Sequence, residues 1–309
     1  MLPFWRHHVD FEQAHVRELA GLPGTGDEGR LPIEEHISKI RQSIRDNCLC
    51  GIRSPPGSGK TMILPELLYT LAADRQQKLQ QAVMIVFPTQ FGCLNIRNPL
   101  VDFREFDYRA VNLRTGVDKK DWFHKDYTKF QVVTYGMVWH WLEKGGQEAR
   151  DKLFDQNCAF LLDEFSGKAE GGDPQELTAD PQTIEIARLL ARSVLNNSRT
   201  HRLLVTGAAL DELFLKAVLP EADFLAFTGR RFPLQRVIVA PRKIEHILTL
   251  CAQLICITLE NDGGNILVFL PGMDDILRLE KLVEQKLRGL CLLYTSPSPR
   301  DQRGSRMPS

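Results

Sequence analysis

The stretch Cys48–Thr61 reads CLCGIRSPPGSGKT, and its two halves follow different rules. The first half, Cys48–Ile52, is a short apolar run of the kind that forms a buried strand. The second half is a Gly/Pro loop ending in G-S-G-K-T. It fits the last three positions of the phosphate-loop pattern G-x-x-x-x-G-K-[ST], with Ser54 in the place of the first glycine. Such a loop binds phosphate because successive backbone N–H groups point into one concavity at a helix N-terminus. Gly57, Ser58, Gly59, Lys60 and Thr61 are the expected donors. Pro55 and Pro56 have no N–H and only stiffen the approach. Lys60 is expected to reach the β- and γ-phosphates, and the Thr61 hydroxyl to take a place on Mg²⁺. A glycine-rich loop that merely turns the chain is the alternative; a strand before it and a helix after it count against that reading.

Working outward, the same alternation continues. Upstream, Ile33, Ile37, Ile40 and Ile44 recur at helical spacing, which predicts an amphipathic helix over Leu31–Asn47. Downstream, a helix runs to about Ala72. AVMIVF (82–87) reads as a buried strand closed by Pro88. FQVVTY (130–135) reads as a strand followed by an aromatic-rich helix to Lys144. CAFLLDEF (158–165) reads as a strand that ends in two acids. DPQTIEIARLLARSVLNN (180–197) is a helix with Ile184, Ile186, Leu189, Leu190 and Val194 inward, and HRLLVTGAAL begins as a strand. Short apolar runs separated by helical patterns indicate an α/β fold, a parallel sheet with helices on both faces. A boundary falls at TGRRFP (228–233). Beyond it RVIVA, a helix over 242–259, the strand NILVFLP (265–271) and a helix over Met273–Leu287 begin a second α/β unit. The expected organisation is a loosely ordered leader (1–30), a first domain (31–229), the incomplete start of a second (230–290) and a tail (291–309).

Composition limits the function classes. At ~150 residues per domain, 309 residues allow about two domains. A hydrophobic fraction of 43% with 25% charged residues excludes global disorder. The balance of 39 basic against 39 acidic residues excludes a basic tail as the main mode of nucleic-acid binding. No apolar run approaches the ~20 residues needed to cross a bilayer, so no membrane partner is expected. The seven cysteines are scattered and form no C-x-x-C pair, which reads as reduced core thiols in a cytoplasmic or nuclear protein. The start, MLPFWRHHVDFEQ, has no signal-peptide core. The end, CLLYTSPSPRDQRGSRMPS, breaks the pattern with an excess of Ser, Pro and Arg. Its first eleven residues resemble a translated sequencing-library adapter, with a natural disordered tail as the alternative.

Asp163 and Glu164 close the strand in FLLDEF. In an open parallel sheet, the carboxyl edge of the strands is where ligands bind. There Asp163 is suited to hold Mg²⁺, and Glu164 to orient and deprotonate an attacking water. Such a pair alone also fits a solvated strand end. The phosphate loop upstream in the same βαβ chain decides for the functional reading.

In this combination the chain resembles the DEAH-box (DExH) family of superfamily-2 nucleic-acid helicases, from Leu31 to about Leu287. LPIEEHISKI with the phosphate loop and LPELL matches the lead-in segment and motif I. VTYGM (133–137) resembles T-D-G-M, and LLDEFS (161–166) lies where D-E-A-H belongs. VTGAALDELF lies where S-A-T is followed by L-D. TGRRFPLQ resembles G-R-x-F-P-V, and GGNILVFLPGMDDI (263–276) is close to G-x-I-L-V-F-L-P-G-x-x-D-I. The resemblance implies P-loop NTPase domains of RecA-like fold closing over ATP and Mg²⁺. It also implies RNA, or DNA, across their upper face, with adaptor proteins as possible further partners. Thr134 and Gly136 are implied to contact the sugar-phosphate backbone, which needs no strongly basic composition.

The sequence departs from the family at several of these places. Phe165 and Ser166 replace Ala-His after the acids, and Tyr135 replaces Asp. The S-A-T coupling motif is degenerate: Gly207, Ala208 and Ala209 carry no hydroxyl, and Thr206 stands one position early. PTQF (88–91) lacks the arginines expected after it. QRGSR (302–306) follows the 265–271 strand too closely to be the family's arginine-finger motif. The cluster Trp139, His140 and Trp141 reads as core, with base stacking as the alternative. Three expectations follow. One is an RNA helicase using Lys60, Thr61, Asp163 and Glu164, cut short here and unable to unwind. The second is a degenerate helicase-like scaffold that binds nucleotide or RNA. An unrelated P-loop ATPase or kinase is the third, and the LVFLPG segment counts against it.

Overall fold

The computed structural model describes residues 14–22, 31–73, 81–102, 107–114, 128–169, 177–197, 200–228, 234–241, 243–261 and 265–289. Most of the TGRRFP boundary, the remainder of the expected leader, Cys291 and the whole tail with QRGSR lie outside the described residues. The chain divides into two units. One spans Leu22–Leu234; the other joins the N-terminal strand to the chain from Gln235 onward. The first element, β1 (Ala14–Leu22), is a strand within the expected leader, paired with Leu234–Pro241. Its partner lies more than two hundred residues away, so no local periodicity announces the pairing.

In the larger unit the lead-in opens with a 3-10 turn, Pro32–His36, that passes into α1 (Ile37–Asp46). The single helix expected over 31–47 is therefore tightened at its start. Pro32 stands at the first position, and the Leu31 N–H donates to the Glu34 carboxylate at 2.9 Å. There follow β2 (Leu49–Arg53), α2 (Lys60–Ala73), β3 (Ala82–Phe87), α3 (Gln90–Asp102), β4 (Val111–Arg114) and β5 (Phe130–Thr134). Next comes α4 (Tyr135–Trp139), which runs into one π turn (His140–Lys144), then α5 (Gly146–Gln156) and β6 (Asn157–Leu162). A short antiparallel pair, β7 (Lys168–Ala169) and β8 (Leu177–Thr178), precedes α6 (Pro181–Asn196), β9 (Arg202–Gly207), α7 (Glu212–Val218) and β10 (Asp223–Ala226).

Seven of these strands form one parallel sheet in the order β10-β2-β9-β6-β3-β5-β4. The continuous apolar runs are explained by burial on both faces. In β3, Val83, Ile85 and Phe87 pack with Ile40, Leu64 and Leu68 of α1 and α2, while Met84 and Val86 pack with Val138, Leu190 and Phe214 from the other helices. Each such side chain taken from water contributes about 1.5–3 kcal/mol. Asp180 starts α6 by accepting from the Thr183 N–H at 2.9 Å, with Pro181 at the first helical position. Ile184, Ile186, Leu190 and Val194 face inward as expected. Cys48, Cys50, Cys93, Cys158, Cys251 and Cys256 are free thiols, and burial pushes Cys50 and Cys158 up to about 12.

The smaller unit holds β11 (Leu234–Pro241), α8 (Ile247–Asn261) and α9 (Met273–Gly289), with Leu250 packed against Val239, Leu254 and Ile257. The strand expected over 265–271 is not formed. Residues 265–270 carry no ladder, and Leu267 and Phe269 are 78% and 86% exposed. A strand requires a neighbour for its backbone groups, and among the described residues no strand pairs with this run. No described helix is long and apolar enough to cross a membrane.

Candidate active site

The sheet order sets the site. β9 lies between β2 and β6, so the loops leaving the carboxyl ends of these three strands meet. The loop after β2 is shaped by its glycines. Gly57 and Gly59 have φ of +72° and +96°, conformations that L side chains rarely adopt. A Cβ on Gly57 would meet nothing within 4 Å, so its need is conformational, whereas one on Gly59 would also strike the Leu31 side chain. The lead-in turn is tied to the loop directly, since the Ile33 N–H donates to the Ser58 carbonyl at 3.0 Å. The Ser54 and Ser58 hydroxyls share a hydrogen bond of 2.8 Å.

Of the expected phosphate donors, the Ser58 N–H is engaged within the loop, on Pro55 O at 3.3 Å. Lys60 and Thr61 lie in the first turn of α2, where backbone N–H groups have no helical acceptor. Lys60 is buried, and its ammonium donates to the carbonyls of Ser54 (2.7 Å) and Pro55 (3.0 Å). Burial lowers its pKa, opposed by the charge of Asp163.

The acids lie across from it. The Asp163 N–H donates to Val86 O at 2.9 Å, which fixes the chain leaving β6 against β3. The carboxylate is buried and accepts three hydrogen bonds. Thr61 Oγ1 donates to Oδ2 at 2.5 Å, Thr206 Oγ1 to Oδ1 at 2.6 Å, and the Glu164 N–H to Oδ1 at 2.9 Å. Glu164 is left-handed, with φ of +55°, the one non-glycine in that region among the described residues. This bend turns its side chain out to the exposed edge. Desolvation first, and the Asp163 charge second, raise its pKa, which strengthens it as a proton acceptor. The Tyr135 hydroxyl donates to the Asp163 carbonyl at 3.1 Å.

The structure thus brings Lys60, Thr61, Asp163 and Glu164 to one edge. Thr206 belongs with them by geometry; sequence reading noted it only as a hydroxyl out of place. Ala208 and Ala209 are exposed in the turn after β9, and Ser166 is also exposed. Gly207 is packed so closely that a Cβ would run into the Phe165 carbonyl oxygen. Phe165 itself is in the core, its ring centroid 5.6 Å from that of Phe214. Thr134 and Gly136 lie at the same carboxyl edge, separated from the acids by β3, with Thr134 in register with Phe87. Thr134 is half-buried, and the space a Cβ on Gly136 would take is open. Trp141 is a core residue and Trp139 packs partly against the core, as the core reading expects, while His140 between them is exposed.

The donor set suits Mg²⁺. A threonine hydroxyl and one carboxylate are hard oxygen ligands, and Mg²⁺ is normally held by one or two carboxylates together with phosphates and water. No cluster of three or more His, Cys, Asp or Glu among the described residues offers a self-contained metal site.

No family model matches the chain. The ATP-dependent RNA helicase HrpB of Escherichia coli (strain K12) is 28% identical over 263 residues, covering 84% of this chain and 29% of that protein. The pre-mRNA-splicing factor ATP-dependent RNA helicase DEAH10 of Arabidopsis thaliana is 22% identical over 284 residues, covering 84% of this chain and 39% of that protein. Two solved structures of E. coli HrpB, described as a DEAH/RHA helicase and as a DExH-box NTPase, superpose with TM-scores of 0.62 and 0.60. They are 19% and 21% identical, covering 90% and 91% of this chain and 33% and 32% of those. The chain is similar in sequence and fold to these DEAH-box helicases. Its parallel sheet is the RecA-like fold of that group, and it spans about a third of the length of these relatives. Around Asp163, the Tyr135 hydroxyl donates to its carbonyl and the Thr206 hydroxyl to its carboxylate, while Gly207 packs against the Phe165 carbonyl.

Proposed function

We propose that the chain is the nucleotide-binding part of an ATP-dependent RNA helicase of the DEAH type. The observation that carries this reading is the meeting of Thr61 and Asp163 at 2.5 Å beside the loop that holds Lys60. Backbone N–H groups of Gly57, Gly59, Lys60 and Thr61 would cradle the phosphates, and Lys60 would exchange its two loop carbonyls for phosphate oxygens. Thr61 and Asp163 would hold Mg²⁺, which when bound neutralises charge on the phosphates. Glu164, exposed and made more basic by its surroundings, would take the proton of the attacking water. Thr134 and Gly136 would face the RNA backbone, with DNA and adaptor proteins as further possible partners.

Alone, the 309-residue chain is proposed to bind Mg·ATP without unwinding duplexes, because its second unit offers no sheet beside residues 265–270 among those described. The alternative, a scaffold that binds nucleotide or RNA, is favoured by the loss of hydroxyls at Gly207 and Ala209. ATP turnover by the chain and by its full-length protein, with and without RNA, separates the two. RNA-stimulated hydrolysis by the full-length protein that Glu164→Gln abolishes supports the helicase reading. Binding without turnover supports the scaffold, and strand displacement by the 309-residue chain overturns the limit placed on it.

A further inference from the structure

Thr206 is fully buried at the end of the strand between the phosphate-loop strand and the acid strand. Its position follows from register. Val205 pairs with Leu162, so the next residue on β9 faces Asp163 where the chain leaves β6. The two segments are joined twice at this level: the Phe165 N–H donates to Thr206 O at 2.8 Å, and Thr206 Oγ1 donates to Asp163 Oδ1 at 2.6 Å. With Oδ1 held by Thr206 and by the Glu164 N–H, Oδ2 is the oxygen turned toward Thr61.

No other side chain leaving β9 can take this part. Gly207 has no room for a Cβ against the Phe165 carbonyl, and residues 208 and 209 are alanines. We propose that Thr206 is a positioning residue for the nucleotide site: its hydroxyl locks the Asp163 carboxylate in the orientation that presents Oδ2 to Thr61 and so to Mg²⁺. This inference rests on the nucleotide reading above.

A purely structural hydroxyl would behave differently. Valine is nearly isosteric with threonine but lacks the hydroxyl, so Thr206→Val keeps the packing while removing the hydrogen bond. The positioning role would not survive it. The test uses the whole chain and a fluorescent ADP analogue, titrated with and without Mg²⁺, together with thermal unfolding. In the wild type Mg²⁺ should tighten binding. In Thr206→Val that tightening should fall about tenfold, as expected for loss of a hydrogen bond to a charged group, while affinity without Mg²⁺ is kept. Thr206→Ser should restore it, and unfolding temperatures should agree within a few degrees. Full Mg²⁺ tightening in Thr206→Val overturns the positioning role and leaves the nucleotide reading intact. Equal loss of binding with and without Mg²⁺, unrescued by serine, also overturns it in favour of a structural role. A wild type that binds no nucleotide with Mg²⁺ overturns the nucleotide reading and this inference together.

Discussion

Thr61 and Asp163 stand 102 residues apart in the chain, yet the threonine hydroxyl donates to the carboxylate at 2.5 Å. One residue lies in the first turn of the helix after the phosphate loop, and the other follows directly on a strand two places along the sheet. Only a parallel sheet with β9 inserted between their strands brings the two together at a single edge. A hydroxyl and a carboxylate in contact form half of a hard-oxygen site that phosphate oxygens and water would complete.

If that contact is the metal site, Thr61→Val should leave the fold intact, since Thr61 is only half-buried. It should also lower Mg²⁺-dependent nucleotide affinity by about tenfold, the effect of one hydrogen bond or ligand to a charged centre. Titration of the variant with a nucleotide analogue at fixed Mg²⁺ checks this. An unchanged affinity would show that the hydroxyl faces the carboxylate without serving the ligand.

Glu164 separates stability from chemistry. Its left-handed backbone costs about 1–2 kcal/mol for a side chain with a Cβ. Glycine removes that cost while losing about 0.5–1 kcal/mol through its greater freedom when unfolded. Glu164→Gly should therefore unfold at the wild-type denaturant concentration or slightly above it, because the N–H that Asp163 accepts is kept. In the full-length protein, ATP turnover should nevertheless be lost with the carboxylate. A variant that is both less stable and inactive would mean the side chain has a structural role that its exposure does not suggest.

The central strands were legible because each is a continuous apolar run between breakers: Ala82–Phe87 is buried at every position. Other elements left no such trace. β4 and β10 are four-residue edge strands with largely half-buried residues, and β1 depends on a partner far along the chain. The run at 265–271 shows the opposite failure: apolar character sufficed to suggest a strand, but pairing decides. At the site, Lys60, Thr61, Asp163 and Glu164 could be read from motifs because their chemistry is tied to local spacing. Tyr135 and Thr206 could not, because their roles come from the register between strands, which a linear pattern does not contain.

Gly207 offers a direct check on that register. A serine there would place a Cβ against the Phe165 carbonyl oxygen, which is backbone and cannot rotate away. Overpacking of this kind costs about 1–3 kcal/mol. Gly207→Ser should accordingly lower the urea midpoint without changing the slope, whereas the neighbouring Ala208→Ser, in an exposed turn, should leave it unchanged. Equal midpoints for the two variants would mean that β9 and the acid turn are farther apart than described.

The last test concerns protons. Burial lowers the pKa of Lys60 below the ordinary lysine value, with Asp163 opposing the shift. A depressed value in the folded chain means that the charged form is less favoured there than in the unfolded chain. Its contribution to stability is therefore present above the ordinary lysine pKa and is lost as pH falls through the lowered value. At neutral pH the buried ammonium is a burden that a triphosphate relieves, and nucleotide binds the protonated form best. Affinity should be flat at neutral pH and should fall as pH rises through the Lys60 pKa, by up to about tenfold per pH unit, with one proton taken up per nucleotide bound. The decline should begin at lower pH than an unperturbed lysine would give. Lys60→Arg, whose guanidinium stays charged throughout, should show no decline over the same range, even if it binds more weakly. Calorimetric titrations in buffers of different ionisation heat, from neutral pH to about pH 10, read both affinity and proton uptake. A wild-type affinity as flat as that of Lys60→Arg would show that Lys60 does not contact the phosphates.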